Sequence, residues 1–171
     1  MVQAQSNDHV VYVPLVMNGT SGSDNHCIQN SQEQSLYELF RNDPGQQRLT
    51  INCDPILTQV AQERALDMAT RRYFSHTNPD GHGPNYLVQQ AGYQLPLFYD
   101  QTLTGNNIES IGGGYSSANA VWSGWMGSSG HQTHLLGTIP FYAEQVDVGI
   151  GYAYNPNSPY SHYWVVITAR H

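Results

Sequence analysis

The spacing of apolar residues predicts helices in the first half of the chain. The clearest helix begins at Asp54-Pro55, where an N-cap residue precedes a proline at the first helical position, and we expect it to end near Arg72. Its apolar residues recur every three or four positions and form one stripe: Leu57, Val60, Ala61, Ala65, Met68 and Ala69. Shorter helices are predicted over 32–41, with Ser31 as the N-cap, and over 84–90.

The second half of the chain changes to the alternating pattern that is typical of strands. Residues 106–111 predict a short strand that ends at three glycines, and 145–154 predict a longer strand with alternate apolar residues on one face. A turn leads to a last strand over 162–169, and one helix is predicted over 117–126. The helices are concentrated in the first half of the chain and the strands in the second, where a hairpin joins the last two. This order predicts an α+β domain with an antiparallel sheet.

Composition and charge limit the classes of partner. The 171 residues are enough for one hydrophobic core, and all six basic residues are arginine in a chain of formal charge −7. Such a chain has no basic cluster to attract nucleic acid or anionic lipid. The longest apolar stretch, 10–17, contains a proline and is too short to span a bilayer, so we expect no transmembrane segment. We expect residues 1–30 to form an arm or linker before a domain at 31–171.

Two histidines are the main candidates for a functional site. His76 follows an aromatic pair, and His131 follows Gly130 after a tryptophan-rich helix, which suggests one site assembled by folding. Neutral imidazole suits zinc, copper or nickel, but two histidines without a third protein ligand form an incomplete site. The alternative is a pair of polar residues that are hydrogen-bonded in a cavity and kept for structure.

Five motifs around these histidines, in this order along the chain, resemble those of a bacterial CAP domain. This superfamily groups cysteine-rich secretory proteins, antigen 5 and pathogenesis-related protein 1. The motifs are Phe74-Ser75-His76, Gly105-Asn106-Asn107-Ile108, Trp125-Met126 with Gly130-His131, Glu144 to Gly151, and Tyr163-Trp164-Val165. The resemblance covers about residues 31–171. It implies secretion, a three-layer α-β-α sandwich with a small, mainly antiparallel sheet, and a shallow cavity. In many members two histidines and two glutamates line this cavity, and the histidines can hold a divalent metal.

The resemblance assigns His76 and His131 as metal ligands, with zinc the expected metal, but both family glutamates are replaced. Asn106 stands at the first glutamate position, and residues 127–129 offer only glycine and serine at the second. Asn106 could hydrogen-bond a histidine through its amide, although it cannot act as a general base. Glu109 and Glu144 are the spare carboxylates. On a regular strand Glu109 would face away from Asn106, unless the glycine-rich end bends the strand.

Two further features leave alternatives open. His134 lies three residues after His131 and is either an additional ligand or, as we expect, a solvated surface residue. Cys27 and Cys53 either form a disulfide, worth about 3 kcal/mol, or are two buried thiols. The disulfide is favoured if the protein is exported. The first thirty residues show no signal peptide, so we expect an export signal to have been removed.

Three hypotheses for function follow. The first is a secreted binding or interaction domain whose cavity takes a divalent metal or a small apolar ligand, with an extracellular or cell-surface partner. The second is a metal-assisted hydrolase, such as a peptidase, that uses the same histidines. The missing carboxylates count against it, because hydrolysis benefits from a nearby base. The third is a structural module of an exported protein.

Overall fold

The computed structural model describes residues 28–171. Residues 1–27 lie outside the described residues, so the arm and the disulfide between Cys27 and Cys53 stay predictions. In the described part the elements, in chain order, are α1 (Ser31–Asn42), β1 (Asn52–Cys53), α2 (Pro55–Arg71), α3 (Pro84–Gln90), β2 (Glu109–Gly113), α4 (Ala118–Met126), α5 (Ser129–Leu135), α6 (Pro140–Ala143), β3 (Asp147–Tyr154) and β4 (His162–Ala169).

The four strands form one mixed sheet in the order β1-β3-β4-β2. β3 and β4 are antiparallel over eight residues, from Asp147 opposite Ala169 to Tyr154 opposite His162. β2 pairs antiparallel with the other side of β4, and β1 adds two residues parallel to β3. The predicted α+β class with a mainly antiparallel sheet is therefore confirmed.

Helices cover both faces of this sheet. Val165 and Ile167 of β4 pack with the apolar stripe of α2, whereas Trp164 and Val166 pack with α1 and α4. Successive side chains of a strand point to opposite faces, so the two hydrophobic clusters lie on opposite sides of β4. The six predicted stripe residues of α2 are all buried, as expected.

Capping side chains set the boundaries that differ from the prediction. The N-cap of α1 is Asn30, because its side chain accepts hydrogen bonds from the N–H groups of residues 32 and 33. β2 begins at Glu109, three residues later than predicted. The Asn106 side chain accepts hydrogen bonds from the N–H groups of Ile108 and Glu109, and this turn postpones the strand.

α2 lies so close to β3 that two strand positions must be glycine. A Cβ atom at Gly149 would lie 2.1 Å from the carbonyl carbon of Leu57, and one at Gly151 would lie 2.2 Å from the carbonyl oxygen of Ala61. Both contacts are with the backbone of α2, which cannot relieve a clash by changing rotamer as a side chain can. The absence of a side chain therefore fixes the separation between α2 and the sheet.

We expect Gly151→Ala to lower the free energy of unfolding by about 3 kcal/mol, because it forces α2 away from the sheet. Urea denaturation followed by circular dichroism measures this loss. Gly130→Ala is the matched control, because a Cβ atom there meets nothing within 4 Å. It lies within α5 and should be neutral or stabilise by up to about 1 kcal/mol. Equal unfolding curves for both variants would contradict the close approach.

Candidate functional site

Arg64 of α2 fixes the loop that contains His76. Its guanidinium donates hydrogen bonds to the carbonyl oxygens of Ser75, at 2.8 Å, and His76, at 3.0 Å. It also donates to the Tyr73 hydroxyl at 2.6 Å. These bonds tie the segment after α2 to the helix itself, so the position of His76 depends on one buried side chain.

Glu109 at the start of β2 connects Arg64 to His76. Its Oε2 lies 3.0 Å from Arg64 Nε, and its Oε1 lies 2.9 Å from His76 Nδ1. The carboxylate is fully buried, whereas the His76 side chain is 43% exposed. Burial by itself would lower the pKa of Arg64, but the Glu109 carboxylate raises it above its usual value. The expectation that Glu109 faces away is wrong, because Asn106 lies in a turn and no regular strand joins the two residues.

His131 lies on α5, a short helix between the predicted helix over 117–126 and the predicted strand over 145–154. Its Nδ1 is 2.9 Å from the Ser128 hydroxyl, and its ring stacks against Trp125 with the centroids 6.2 Å apart. Burial lowers the pKa of His131, and the charge of nearby His76 lowers it further. His131 is therefore held as a neutral imidazole close to His76.

Both histidines line one small cavity of about 240 Å³. Its lining is mostly polar: His76, Asn106, Asn107, Ile108, Glu109, Ser110, Ser128, Gly130, His131, His134 and Tyr142. A larger open groove of about 680 Å³ lies along α2 and α3, but neither His76 nor His131 lines it. The small cavity is therefore the candidate site, and the structure brings the two predicted histidines together in it.

His134 is buried in this wall, so the prediction of a solvated surface residue is wrong. Gln145 Nε2 donates to the Asn107 carbonyl, and Gln145 Oε1 therefore accepts from the Thr168 hydroxyl at 2.7 Å. Thr168 in turn accepts from His134 Nε2–H at 2.8 Å, which leaves His134 Nδ1 to accept from the Ser110 hydroxyl at 2.7 Å. Both ring nitrogens are used, so His134 is not a free ligand.

The electrostatics of His134 also exclude a role for Ser110 as an activated nucleophile. Burial, followed by the charge of Arg48, lowers the pKa of His134 to about 3. The Ser110–His134 hydrogen bond has the polarity of a nucleophile and its base. A base with so low a pKa cannot take a proton from a serine hydroxyl near neutral pH.

The other two predicted cavity residues have structural roles. The Asn106 amide donates to the Glu109 carbonyl oxygen at 3.3 Å, so its hydrogen bonds serve the turn and not a histidine. Glu144 is the C-cap of α6, is exposed, and pairs with Arg170. It does not line the cavity. Within residues 28–171 no group of three or more His, Cys, Asp or Glu side chains is arranged to hold a metal ion.

Comparison with known proteins identifies the family. The profile of the cysteine-rich secretory protein family, CAP, matches residues 36–168. The chain belongs to the CAP family. A comparison with curated proteins found no match. In the part of the chain that the structure describes, no helix of this CAP domain is long and apolar enough to cross a membrane.

Two solved structures share the fold. One is an outer surface protein from Borrelia burgdorferi, with a TM-score of 0.57 and 18% identity over 81% of this chain and 88% of that one. The other is an extracellular protein containing an SCP domain from Bacillus anthracis, with a TM-score of 0.56 and 20% identity over 86% of this chain. The match covers 41% of the Bacillus protein, so the rest of that protein has no counterpart in the alignment.

The residue that sequence reasoning missed is Arg64. The available signal was its position, because Arg64 lies within the apolar stripe of α2, three residues after Ala61 and four before Met68. An arginine on a buried helix face needs a partner in the core. That partner, Glu109, is 45 positions away along the chain, and spacing alone does not identify it.

We expect Arg64→Gln to lower the free energy of unfolding by about 3–5 kcal/mol, because it leaves the Glu109 carboxylate buried without its cation. Urea denaturation of this variant is compared with that of the double variant Arg64→Gln/Glu109→Gln. The double variant should be the more stable of the two, since it removes the uncompensated charge. If it is less stable than the single variant, the ion pair does not hold this region together.

The low pKa of His134 predicts a loss of stability in acid. Between about pH 3 and pH 6.5 the unfolded chain binds a proton on His134 that the native state does not, so the free energy of unfolding falls as the pH falls through this range. His131 acts in the same direction. Urea denaturation from pH 7.5 to pH 4.5 measures the slope, and His134→Gln should reduce it by about one bound proton near pH 5. An unchanged slope would contradict this assignment.

Proposed function

We propose that this CAP domain is secreted and binds a divalent metal ion, zinc in the first place, through the Nε2 atoms of His76 and His131. The observation that supports this most is the state of the two imidazole rings. Within residues 28–171 each Nδ1 has a hydrogen-bond partner, Glu109 for His76 and Ser128 for His131, whereas neither Nε2 has one. Both rings line the same polar cavity.

The hydrogen bond at His76 Nδ1 prepares that ring for metal binding. Both oxygens of the Glu109 carboxylate accept from the Arg64 guanidinium, and a carboxylate has no proton to donate, so His76 Nδ1–H is the donor. The proton of a neutral His76 ring is then on Nδ1, and the lone pair is on Nε2. Metal-binding histidines use this arrangement, in which an outer carboxylate orients the ring and raises its basicity. Burial favours the neutral form of His131 as well.

A metal with only two protein ligands keeps positions for water or for a group of a binding partner. Such a metal could polarise a carbonyl or lower the pKa of a bound water. A binding role is favoured over hydrolysis, because both Glu109 oxygens are engaged by Arg64 or His76 and residues 28–171 contribute no other carboxylate to the cavity lining. The polar lining also favours an ion over a small apolar ligand.

Secretion is supported by the solved relatives, which are an outer surface protein and an extracellular protein by their descriptions. The disulfide between Cys27 and Cys53 is part of this proposal, since an oxidising compartment allows it to persist. Mass spectrometry before and after reduction would reveal the bond as a gain of two hydrogens. A pair of free thiols in protein exported by its own cell would contradict it.

Equilibrium dialysis with zinc at pH 7.5 tests the metal site. We expect one zinc per chain in the unaltered protein and none in His76→Ala/His131→Ala. His82→Ala is the matched control, because His82 stacks on Tyr86 outside the cavity, and it should bind as before. Ser128→Ala, which removes only the partner of His131 Nδ1, should weaken binding about tenfold. Equal zinc stoichiometry in the double variant would show that the two-histidine site is wrong.

The same variants separate the remaining hypotheses. A peptidase would show turnover that requires the metal and disappears in the double variant. Turnover that survives there would exclude the histidine mechanism. A purely structural module would bind no zinc in any form and would lose stability in the double variant.

A further inference from the structure

A large part of this CAP domain has no charged side chains. From Ser110 to Ala143 and from Val148 to Ala169 the sequence contains no Asp, Glu, Lys or Arg, although the whole chain has a formal charge of −7. Charged residues normally make up about a quarter of a globular sequence. The charge of this chain is therefore concentrated elsewhere, and these segments contribute no Asp, Glu, Lys or Arg to the surface.

Exposed aromatic rings lie where the ends of β2, β3 and β4 meet. Phe74 and Tyr160 have ring centroids 5.0 Å apart and are 38% and 44% exposed. A Cβ atom at Gly113 would lie 3.0 Å from the Phe74 ring and 3.1 Å from the Tyr160 ring, so the bare glycine backbone lets both rings pack directly on β2. We call Phe74, Tyr160 and Gly113 the aromatic platform. Its rings are supported from below and remain accessible to solvent.

The surroundings of the aromatic platform add further rings and neutral hydrogen-bonding groups. Tyr154, which is 57% exposed, lies against His162 across the β3–β4 hairpin, with the ring centroids 4.8 Å apart. Ser75, next to Phe74, is exposed, and so are the asparagine and serine side chains of the neighbouring loops: Asn157 and Ser116. Flat rings bordered by hydroxyl and amide groups form an amphipathic surface, and Arg72 is the charged residue nearest to Phe74 along the chain.

We propose that the aromatic platform binds a neutral glycan, a chain of uncharged β-linked pyranose units. A pyranose with equatorial hydroxyls has a face of C–H groups, which packs on the electron-rich face of an aromatic ring. The hydroxyls at its edge meet the neutral donors and acceptors around the platform. A charged polymer would find no counter-charge in the uncharged segments. The exposed aliphatic side chains that would suit lipid belong to other parts of the chain: Leu49, Leu66, Leu97, Leu103 and Ile139.

Isothermal titration with chitohexaose and cellohexaose tests this proposal, and the two probes distinguish an N-acetylated wall glycan from a plain glucan. We expect saturable binding to at least one. Phe74→Ala and Tyr160→Ala should each weaken it about tenfold, and Tyr160→Phe, which keeps the ring, should retain most of it. Gly113→Ala should also weaken binding, because the added methyl group displaces both rings.

The matched control is Phe98→Ala, which removes another exposed ring, 57% exposed, from the loop before β2. It should bind both probes as the unaltered protein does. The variant His76→Ala/His131→Ala should also bind them, so that a failure of the glycan proposal can be distinguished from a failure of the metal site. Three results would overturn the proposal: no binding to either probe, an equal loss in Phe98→Ala, or binding to heparin alone through Arg72 near Phe74. Loss of a dimer in the platform variants, without glycan binding, would show instead that the platform contacts a second copy.

Discussion

The candidate site depends on the buried ion pair between Arg64 and Glu109. A buried pair offsets its desolvation only when its geometry is good and its remaining hydrogen-bonding groups are satisfied. Arg64 meets this condition by donating to Glu109, to the Tyr73 hydroxyl and to the backbone carbonyls of Ser75 and His76. One side chain thereby joins α2, the loop after it and the start of β2. The position of His76 is a consequence of how this pair is satisfied.

A second buried arginine, Arg48, fixes the C-terminal end of α5, the helix that contains His131. Arg48 donates to the carbonyl oxygens of His134 and Leu135 at the C-terminal end of α5, and to that of Gln145. It has no carboxylate partner among these contacts, and burial lowers its pKa to about 10. A cation at a helix C-terminus is favoured by the helix dipole. The planar fork of arginine reaches several carbonyls at once, which a lysine ammonium cannot do in the same way.

The sequence predicts the parts of the fold that local rules determine, and it fails where distant residues decide. The stripe and caps of α2, and the hairpin of β3 and β4, follow from periodicity and capping. β1 has only two residues and exists because β3 lies beside it. Glu109 points to His76 because the Asn106 turn postpones the strand. His134 is buried because Arg48 and Thr168, far away along the chain, close over it. The position of Arg64 in an apolar stripe indicates that it needs a buried partner, but it does not identify that partner.

The hydrogen bonds among the residues that line the cavity limit the chemistry that the site can perform. Its wall contains a carboxylate, two serines and three histidines, residue types that hydrolases commonly use. Glu109, however, is bonded to Arg64 and His76, and His134 is bonded through both nitrogens to hydroxyl groups. Each of these groups orients a neighbour. Of the six ring nitrogens that residues 28–171 place in this wall, the Nε2 atoms of His76 and His131 are the two without a hydrogen-bond partner. Because polar groups committed to one another are rigid, this wall can hold two imidazoles in fixed directions, as binding an ion requires.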